Sequence, residues 1–321
     1  MKIHPLTHLV ARVNIRIRRE YFRRIFAPAY YRSLPKQEVS CGICNSTKNE
    51  IVVDNDRYNM KVSTVCCNNC GFIFVNPRPS PESMAKFYRD DYRKFYESIE
   101  SPSQDYIKAG KFEARAAAAV DMVKKAAAEI NYDILRVLDI GCAQGTVLDT
   151  LKKNGVGSQF VGIEPSPTFA QYARELVGCH VFNGTLDEFQ KTDNGRKDGF
   201  NLVLLSHVLE HFNEPVYELK RIHGMLDDGG LLYVEVPNVC SSRGAGMSSF
   251  HLAHLSLFYP ETLVAALKEA GFEVLSAAYE GLPAACPSMA IVGRKKPERQ
   301  PWEVSKETIR ERLAYLRSTL K

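Results

Sequence analysis

The sequence predicts an α/β fold: seven strands in one mostly parallel sheet, helices on both faces, and a small cysteine-rich module ahead of it. Three observations carry this expectation. From residue 136 onward, short apolar runs alternate with helical stretches that start near Thr146, Pro167, Pro215 and Pro260. The first of these runs ends in a glycine turn, VLDIGCAQG at 137–145, a common entrance to a ligand pocket in such a sheet. Upstream lie two CxxC pairs, CGIC at 41–44 and CNNC at 67–70.

The elements follow in chain order. The 321 residues carry a formal charge of +5, unevenly placed. Residues 1–36 hold nine Lys/Arg against one Glu, whereas the remaining 285 hold 33 basic and 36 acidic side chains. The body is slightly acidic, so no nucleic-acid partner is expected. In the arm, residues 6–27 read as one helix stopping before Pro28. Val10, Val13, Ile17, Tyr21 and Ile25 share one face, and Arg12, Arg16, Arg19 and Arg23 another. Such a helix docks on the domain or on a second subunit of a homodimer, or is drawn to an anionic membrane surface. There is no run of eighteen apolar residues, and no secretory leader is expected, since no apolar stretch followed by a small-residue cleavage site is read near residue 1. The expected location is the cytoplasm, with peripheral contact at the inner membrane face.

Residues 37–80 form the next unit. Cys41–Cys44 and Cys67–Cys70 are two knuckles separated by 22 residues. Four thiolates facing each other suit a closed, tetrahedral, structural Zn²⁺ site. Cys66 breaks the CxxC spacing, and Gly42 and Gly71 suit sharp backbone turns. Residues 81–130 connect the module to the sheet. Tyr88 and Tyr92, four apart on a short helix, are candidates to line a substrate pocket. Residues 103–130 are Ala-rich and read as one helix. The sheet unit spans 131–296. Residues 297–321 end the chain in an amphipathic helix carrying Val304, Ile309, Leu313 and Leu316, suited to packing or oligomerisation.

The seven strands are RVLDIG, QFVGIE, HVFNG, NLVLLSH, GLLYVEVPN, FEVLSAAYE and SMAIVGRK. No Lys-Ser/Thr follows the glycine turn, which excludes a P-loop. Counting from Gly141, Ala143 and Thr146 occupy the second and third glycine positions of a dinucleotide fingerprint. Glu164 ends the second strand, 19 residues after Gly145, where a carboxylate can accept from both hydroxyls of a ribose. A nucleoside joined to a small zwitterion is therefore expected, rather than a pyrophosphate.

VLDIGCAQG, VGIEPS, NLVLLSHVLEHFNEP and LDDGGLLYVEVPN, in that order, resemble the successive motifs of class I S-adenosylmethionine-dependent methyltransferases, over about residues 110–295. The resemblance implies a Rossmann-like fold. It implies that Asp139, Gly141, Cys142 and Gly145 surround the amino-acid end of S-adenosylmethionine and that Glu164 holds its ribose. It puts Thr185 and Leu186 at the adenine, and Ser206 and His207 near the sulfonium. The cysteine module followed by NPRPS…FY…Y resembles a narrower group acting on sugars and glycans, which implies a nucleotide-linked or lipid-linked sugar acceptor. In its C-methylating members a Tyr-His-Glu-His segment follows the fifth strand, and its last His is the general base. The matching stretch here is His251-Leu252-Ala253-His254. His254 falls on the base, while His251 and Ala253 replace the Tyr and Glu. With the short C-terminal tail, these departures favour a hydroxyl acceptor. The alternatives are a polyketide, lipid or quinone hydroxyl, or a sugar carbon. A hydroxyl needs a base at neutral pH, and His254, with His251 beside it, is the expected one, on a Ser/Gly-rich loop over the pocket. His211 is expected to contact the substrate.

Overall fold

The computed structural model describes residues 27–90, 92, 101–196, 199–244, 246–284 and 286–320. The basic helix expected over 6–27 lies outside them except for Ala27. Helix α1 (Ala27–Ser33) includes Pro28, so the chain is helical directly after this proline.

Strand β1 (Lys36–Gln37) opens the module, followed by β2 (Asn49–Val53), β3 (Thr64–Cys67), β4 (Ile73–Val75) and β5 (Arg78–Pro79). Helix α2 (Pro81–Asp90) carries Tyr88. The Ala-rich stretch is two helices, α3 (Gln104–Ala109) and α4 (Phe112–Glu129). The break has a local cause. Gly110 caps α3, and a Cβ there would lie 2.1 Å from the Phe112 ring, while Lys111 turns left-handed at φ +55°.

The main sheet then builds by alternation: β6 (Arg136–Ile140), α5 (Thr146–Lys153), β7 (Gln159–Glu164), α6 (Pro167–Val177) and β8 (His180–Asn183). After α7 (Leu186–Phe189) and α8 (Asp193–Arg196) come β9 (Phe200–Ser206), α9 (Pro215–Met225) and β10 (Leu226–Pro237). Strand β11 (Ser256–Leu257), α10 (Pro260–Glu269), β12 (Phe272–Ala278), β13 (Ser288–Lys295) and α11 (Lys306–Thr319) complete the chain. The seven strands lie in the order β12-β13-β10-β9-β6-β7-β8, with β13 antiparallel to both neighbours. Leu202, Val203, Leu204 and Leu205 are all buried, as a central strand covered on both faces requires.

The cysteine module is not separated from this sheet. Strand β11, from far downstream, pairs with β4 in a second sheet of order β11-β4-β3-β2. Cys41, Cys67 and Phe72 share one apolar core with Leu138, Val203 and Leu232. Helix α11 buries Ile309, Leu313 and Leu316, and Lys306 Nζ donates to the Asn68 and Asn69 carbonyls at 2.7 and 2.9 Å. Its expected packing role is thus met on the module. The segment around His251 and His254 differs from the expected loop over the pocket. Leu252, Ala253 and Leu255 are buried in a small core with Met60, Met84 and Phe87, which draws the segment beneath α2. Among the described residues, no helix is long and apolar enough to cross a membrane.

Candidate active site and cysteine centre

A cleft of about 760 Å³ opens at the carboxyl ends of β6, β7 and β9. Successive strands run to one side of β6 through β7 and β8, and to the other through β9 and β10, so this is the switch point where such sheets bind ligands. Asp139, Gly141, Cys142, Glu164, Thr185, Leu186, Ser206 and His207 all line it. Gly145 stands behind them as the N-cap of α5, at φ +81°. A Cβ there would come within 2.9 Å of Val177 Cγ2 and 3.1 Å of Ala173 Cβ, so the bare glycine lets the turn pack on α6.

The Glu164 carboxylate is held by two backbone donors, Ala143 N to Oε2 at 3.0 Å and Ser166 N to Oε1 at 2.9 Å. These two contacts orient the carboxylate toward the glycine turn. Thr185 caps α7: its Oγ1 accepts from Glu188 N at 3.3 Å, and Glu188 Oε2 accepts from Thr185 N at 2.7 Å. Asp139 is 2% exposed. Burial, and then the charge of Glu164, push its carboxyl up to about 8. Gln144 Oε1, also on the wall, is buried with no hydrogen-bond partner. Two acidic groups and an open amide acceptor beside a glycine turn fit a ligand with a hydroxyl pair and an ammonium, as S-adenosylmethionine has.

The far end of the cleft is built by α2, β1, β5 and residues 211–214. Tyr88, Tyr92 and His211 meet there. The tyrosine ring centroids are 5.3 Å apart, and each ring stands edge-on to His211 at 5.5 and 5.6 Å. His211 Nδ1 lies 2.7 Å from the Ala253 carbonyl. A carbonyl only accepts, so Nδ1 carries the proton and Nε2 is the basic nitrogen. Tyr88 donates to the same carbonyl at 2.8 Å.

His251 and His254 do not line the cleft. They lie behind His211, with centroids 5.1 Å apart in an edge-on contact for His211–His254 and 3.7 Å apart, tilted, for His251–His254. His254 Nδ1 donates to Ser249 O at 2.9 Å. Burial first, and then the His211 charge, pull His254 down to about 3, and burial also holds His251 well below the usual imidazole range. The expected base is therefore a neutral, half-buried ring with His211 between it and the cleft.

From the cleft wall inward runs a chain of charges, joining His207 and Arg115 to the buried Glu210 and Glu235, that the sequence reading missed. His207 Nδ1 is 3.4 Å from Glu210 Oε1, and its Nε2 is 3.3 Å from Glu235 Oε1. Burial and the Arg115 charge oppose protonation of His207, but these two carboxylates prevail and lift it to about 9. Burial likewise opposes the charges on Glu210 and Glu235, yet contact with His207 holds both down at about 2. Arg115 Nε contacts Glu235 Oε1 at 3.3 Å, and Ser206 donates to Glu235 Oε2 at 2.9 Å. A Glu inside the apolar run GLLYVEVPN, and a lone Arg beside four alanines, were the available signals.

Two groups of side chains could hold a metal among the described residues. One is Glu210, His211 and His254, whose donor atoms lie within 4.8 Å of one another. The other is the predicted set Cys41, Cys44, Cys67 and Cys70. Cys41 Sγ is 3.5 Å from Cys70 Sγ, and Cys44 Sγ is 3.5 Å from Cys67 Sγ. Four sulfurs at the Zn–S distance of about 2.3 Å stand about 3.8 Å apart, so the cluster has the dimensions of a Zn²⁺ tetrahedron. Cys66 turns away, its Sγ 3.4 Å from Gly71 O. Gly71 has φ +76°, and a Cβ there would meet Tyr259 Oη at 2.2 Å. Gly42 differs from expectation. Its φ is ordinary, and what it permits is the approach of Pro215, 3.3 Å from where a Cβ would stand.

Residues 85–277 match the family described as "Methyltransferase domain". The ubiquinone biosynthesis O-methyltransferase of Azorhizobium caulinodans is 32% identical over 109 residues, covering 32% of this chain and 41% of that protein. The protein of the same name from Cereibacter sphaeroides is 26% identical over 139 residues, 42% of this chain and 52% of its own. The chain thus spans about half or less of the length of these curated relatives. In fold, it is similar to the 1,6-didemethyltoxoflavin-N1-methyltransferase of Burkholderia thailandensis, with a TM-score of 0.50 at 19% identity, over 70% of this chain and 96% of that one.

Proposed function

Because the chain belongs to the class I S-adenosylmethionine-dependent methyltransferases, we propose that it transfers the cofactor's methyl group to a hydroxyl of a non-sugar small molecule, with His211 as general base. The observation that carries this reading is His211 on the acceptor wall, its Nδ1–H donated to Ala253 O, which makes Nε2 the basic nitrogen of the ring. When bound, the cofactor supplies an electrophilic methyl on a sulfonium. A neutral hydroxyl attacks it poorly, and an imidazole that removes the proton in the transition state contributes about 100-fold or more. Glu210 Oε1, 4.0 Å from His211 Nε2, balances the positive charge that His211 gains.

The acceptor wall of Tyr88, Tyr92, Met84 and Phe212 is aromatic and apolar, which suits a flat ring such as a phenol or quinol. The relatives named for ubiquinone biosynthesis support oxygen as the methylated atom and a non-sugar acceptor. They favour this over the sugar or glycan expected from the cysteine module. That module binds Zn²⁺ in this reading and serves as structure, because its cysteines are nearly all buried and leave no ligand position open.

The test offers labelled S-adenosylmethionine with two acceptor panels, one of phenols and catechols, the other of nucleotide sugars and extracted glycolipids. Label in the phenolic panel is expected. Label confined to the sugar panel overturns the acceptor assignment while leaving methyl transfer intact.

A further inference from the structure

Arg78 lines the acceptor end of the cleft, yet it is 2% exposed. Its Nη1 donates to the Asn213 carbonyl, its guanidinium stands 5.7 Å from the Phe74 ring centre, and its Nε has no hydrogen-bond partner. No carboxylate forms an ion pair with it among the described residues; Glu214 acts on it only through its field. Burial lowers Arg78 to about 10, so it remains cationic at neutral pH.

A guanidinium has five donors in a planar fork. Burying one with a single carbonyl acceptor and no directly paired carboxylate is unfavourable, and a packed apolar side chain would stabilise the same space better. The arrangement is what a site for an incoming anion requires. Its location says which anion. Arg78, on β5, is fastened to Asn213, two residues after His211, so the cation is held against the short loop that carries the base at the acceptor end.

We propose that Arg78 binds an oxyanion carried by the acceptor itself, so that the molecule methylated is a hydroxylated carboxylate or phosphate. This rests on the methyltransferase reading above and narrows its substrate class. The planar fork matches either anion through paired hydrogen bonds. Arg78 would then fix the distance between the anion and the hydroxyl presented to His211, and reject neutral analogues by leaving a buried cation unpaired.

The test is calorimetric titration of the full chain saturated with S-adenosylhomocysteine. The probes are 3,4-dihydroxybenzoate for a carboxylate, 4-hydroxyphenyl phosphate for a phosphate, and neutral 3,4-dihydroxybenzamide. At least one anionic probe is expected to bind about ten-fold or more tightly than the amide, the scale of a charge-assisted pair. Arg78→Met should erase that preference and leave S-adenosylhomocysteine affinity unchanged. Arg78→Lys, which keeps the charge without the fork, should retain part of it and serves where Arg78→Met does not fold. Equal binding of all three probes by the wild type, or a preference that survives Arg78→Met, overturns the proposal. Failure of the wild type to bind S-adenosylhomocysteine would instead defeat the methyltransferase reading on which it rests.

Discussion

His211 and His254 are neighbours with opposite expectations. His211 lines the cleft, so His211→Ala should lower kcat by about 100-fold or more with cofactor affinity unchanged. His254 lies behind it, hydrogen-bonded to Ser249 O, and His254→Ala should cost much less. Comparable losses in the two variants would return the base role to His254. Asp139 makes a pH-dependent prediction. Its carboxyl is raised to about 8, so it is mostly protonated at pH 7 before the cofactor binds. The cofactor's ammonium favours the carboxylate, so binding at pH 7 should release a proton. Calorimetry in two buffers of different ionisation heat would detect the release, and Asp139→Asn should abolish it. His207 behaves in the opposite sense. Its folded value of about 9 lies above the ordinary 6.5, so its stabilising contribution is full below about 6.5 and is lost as pH rises through 9. The melting-temperature difference between wild type and His207→Asn should follow that course; asparagine tolerates the left-handed φ of +57° at this position. The cleft-lining residues at the strand ends were legible because strand-end turns are local features, set by a few residues around Gly141 and Glu164. That residue 211 and not 254 lines the cleft was not, because it depends on where Leu252, Ala253 and Leu255 bury, a long-range outcome.

At the scale of elements, period and punctuation carried the reading. All seven strands, and helix starts at Thr146, Pro167, Pro215 and Pro260, were visible as apolar runs and capping prolines. Gly110 inside the Ala-rich stretch was the signal for the break between α3 and α4, outweighed by the alanines around it. The antiparallel placement of β13 and the recruitment of β11 into the module sheet had no local signature, because pairing partners far apart in sequence leave none. The turn between β6 and α5 gives the element-scale prediction. Gly145→Ala forces a Cβ to within 2.9 Å of Val177 Cγ2 at φ +81°. Left-handed strain alone costs about 1–2 kcal/mol. The variant should melt several degrees lower and bind S-adenosylhomocysteine more weakly; an unchanged melting temperature would mean that the turn has room to relax.

For the whole molecule, the cysteine module and the sheet behave as one body, since they share a core and a strand and α11 braces the module from outside. The module also supplies β1 and β5 to the acceptor wall. Metal removal should therefore lower the stability of the entire chain in a single transition, and methyl transfer should fall with it. The checks are one zinc per chain by elemental analysis and melting with and without a strong chelator. Two separate transitions, or a melting curve indifferent to chelation, would contradict a shared core held by a metal. Everything in this account converges on the atom that receives the methyl group. The most direct measurement is carbon NMR of the product formed from ¹³C-methyl S-adenosylmethionine and the acceptor that the panels identify. A methyl on oxygen of a non-sugar molecule, formed by the wild type and nearly lost in His211→Ala, is the predicted result. A methyl on carbon, or on a sugar, or one formed equally well without His211, would contradict it.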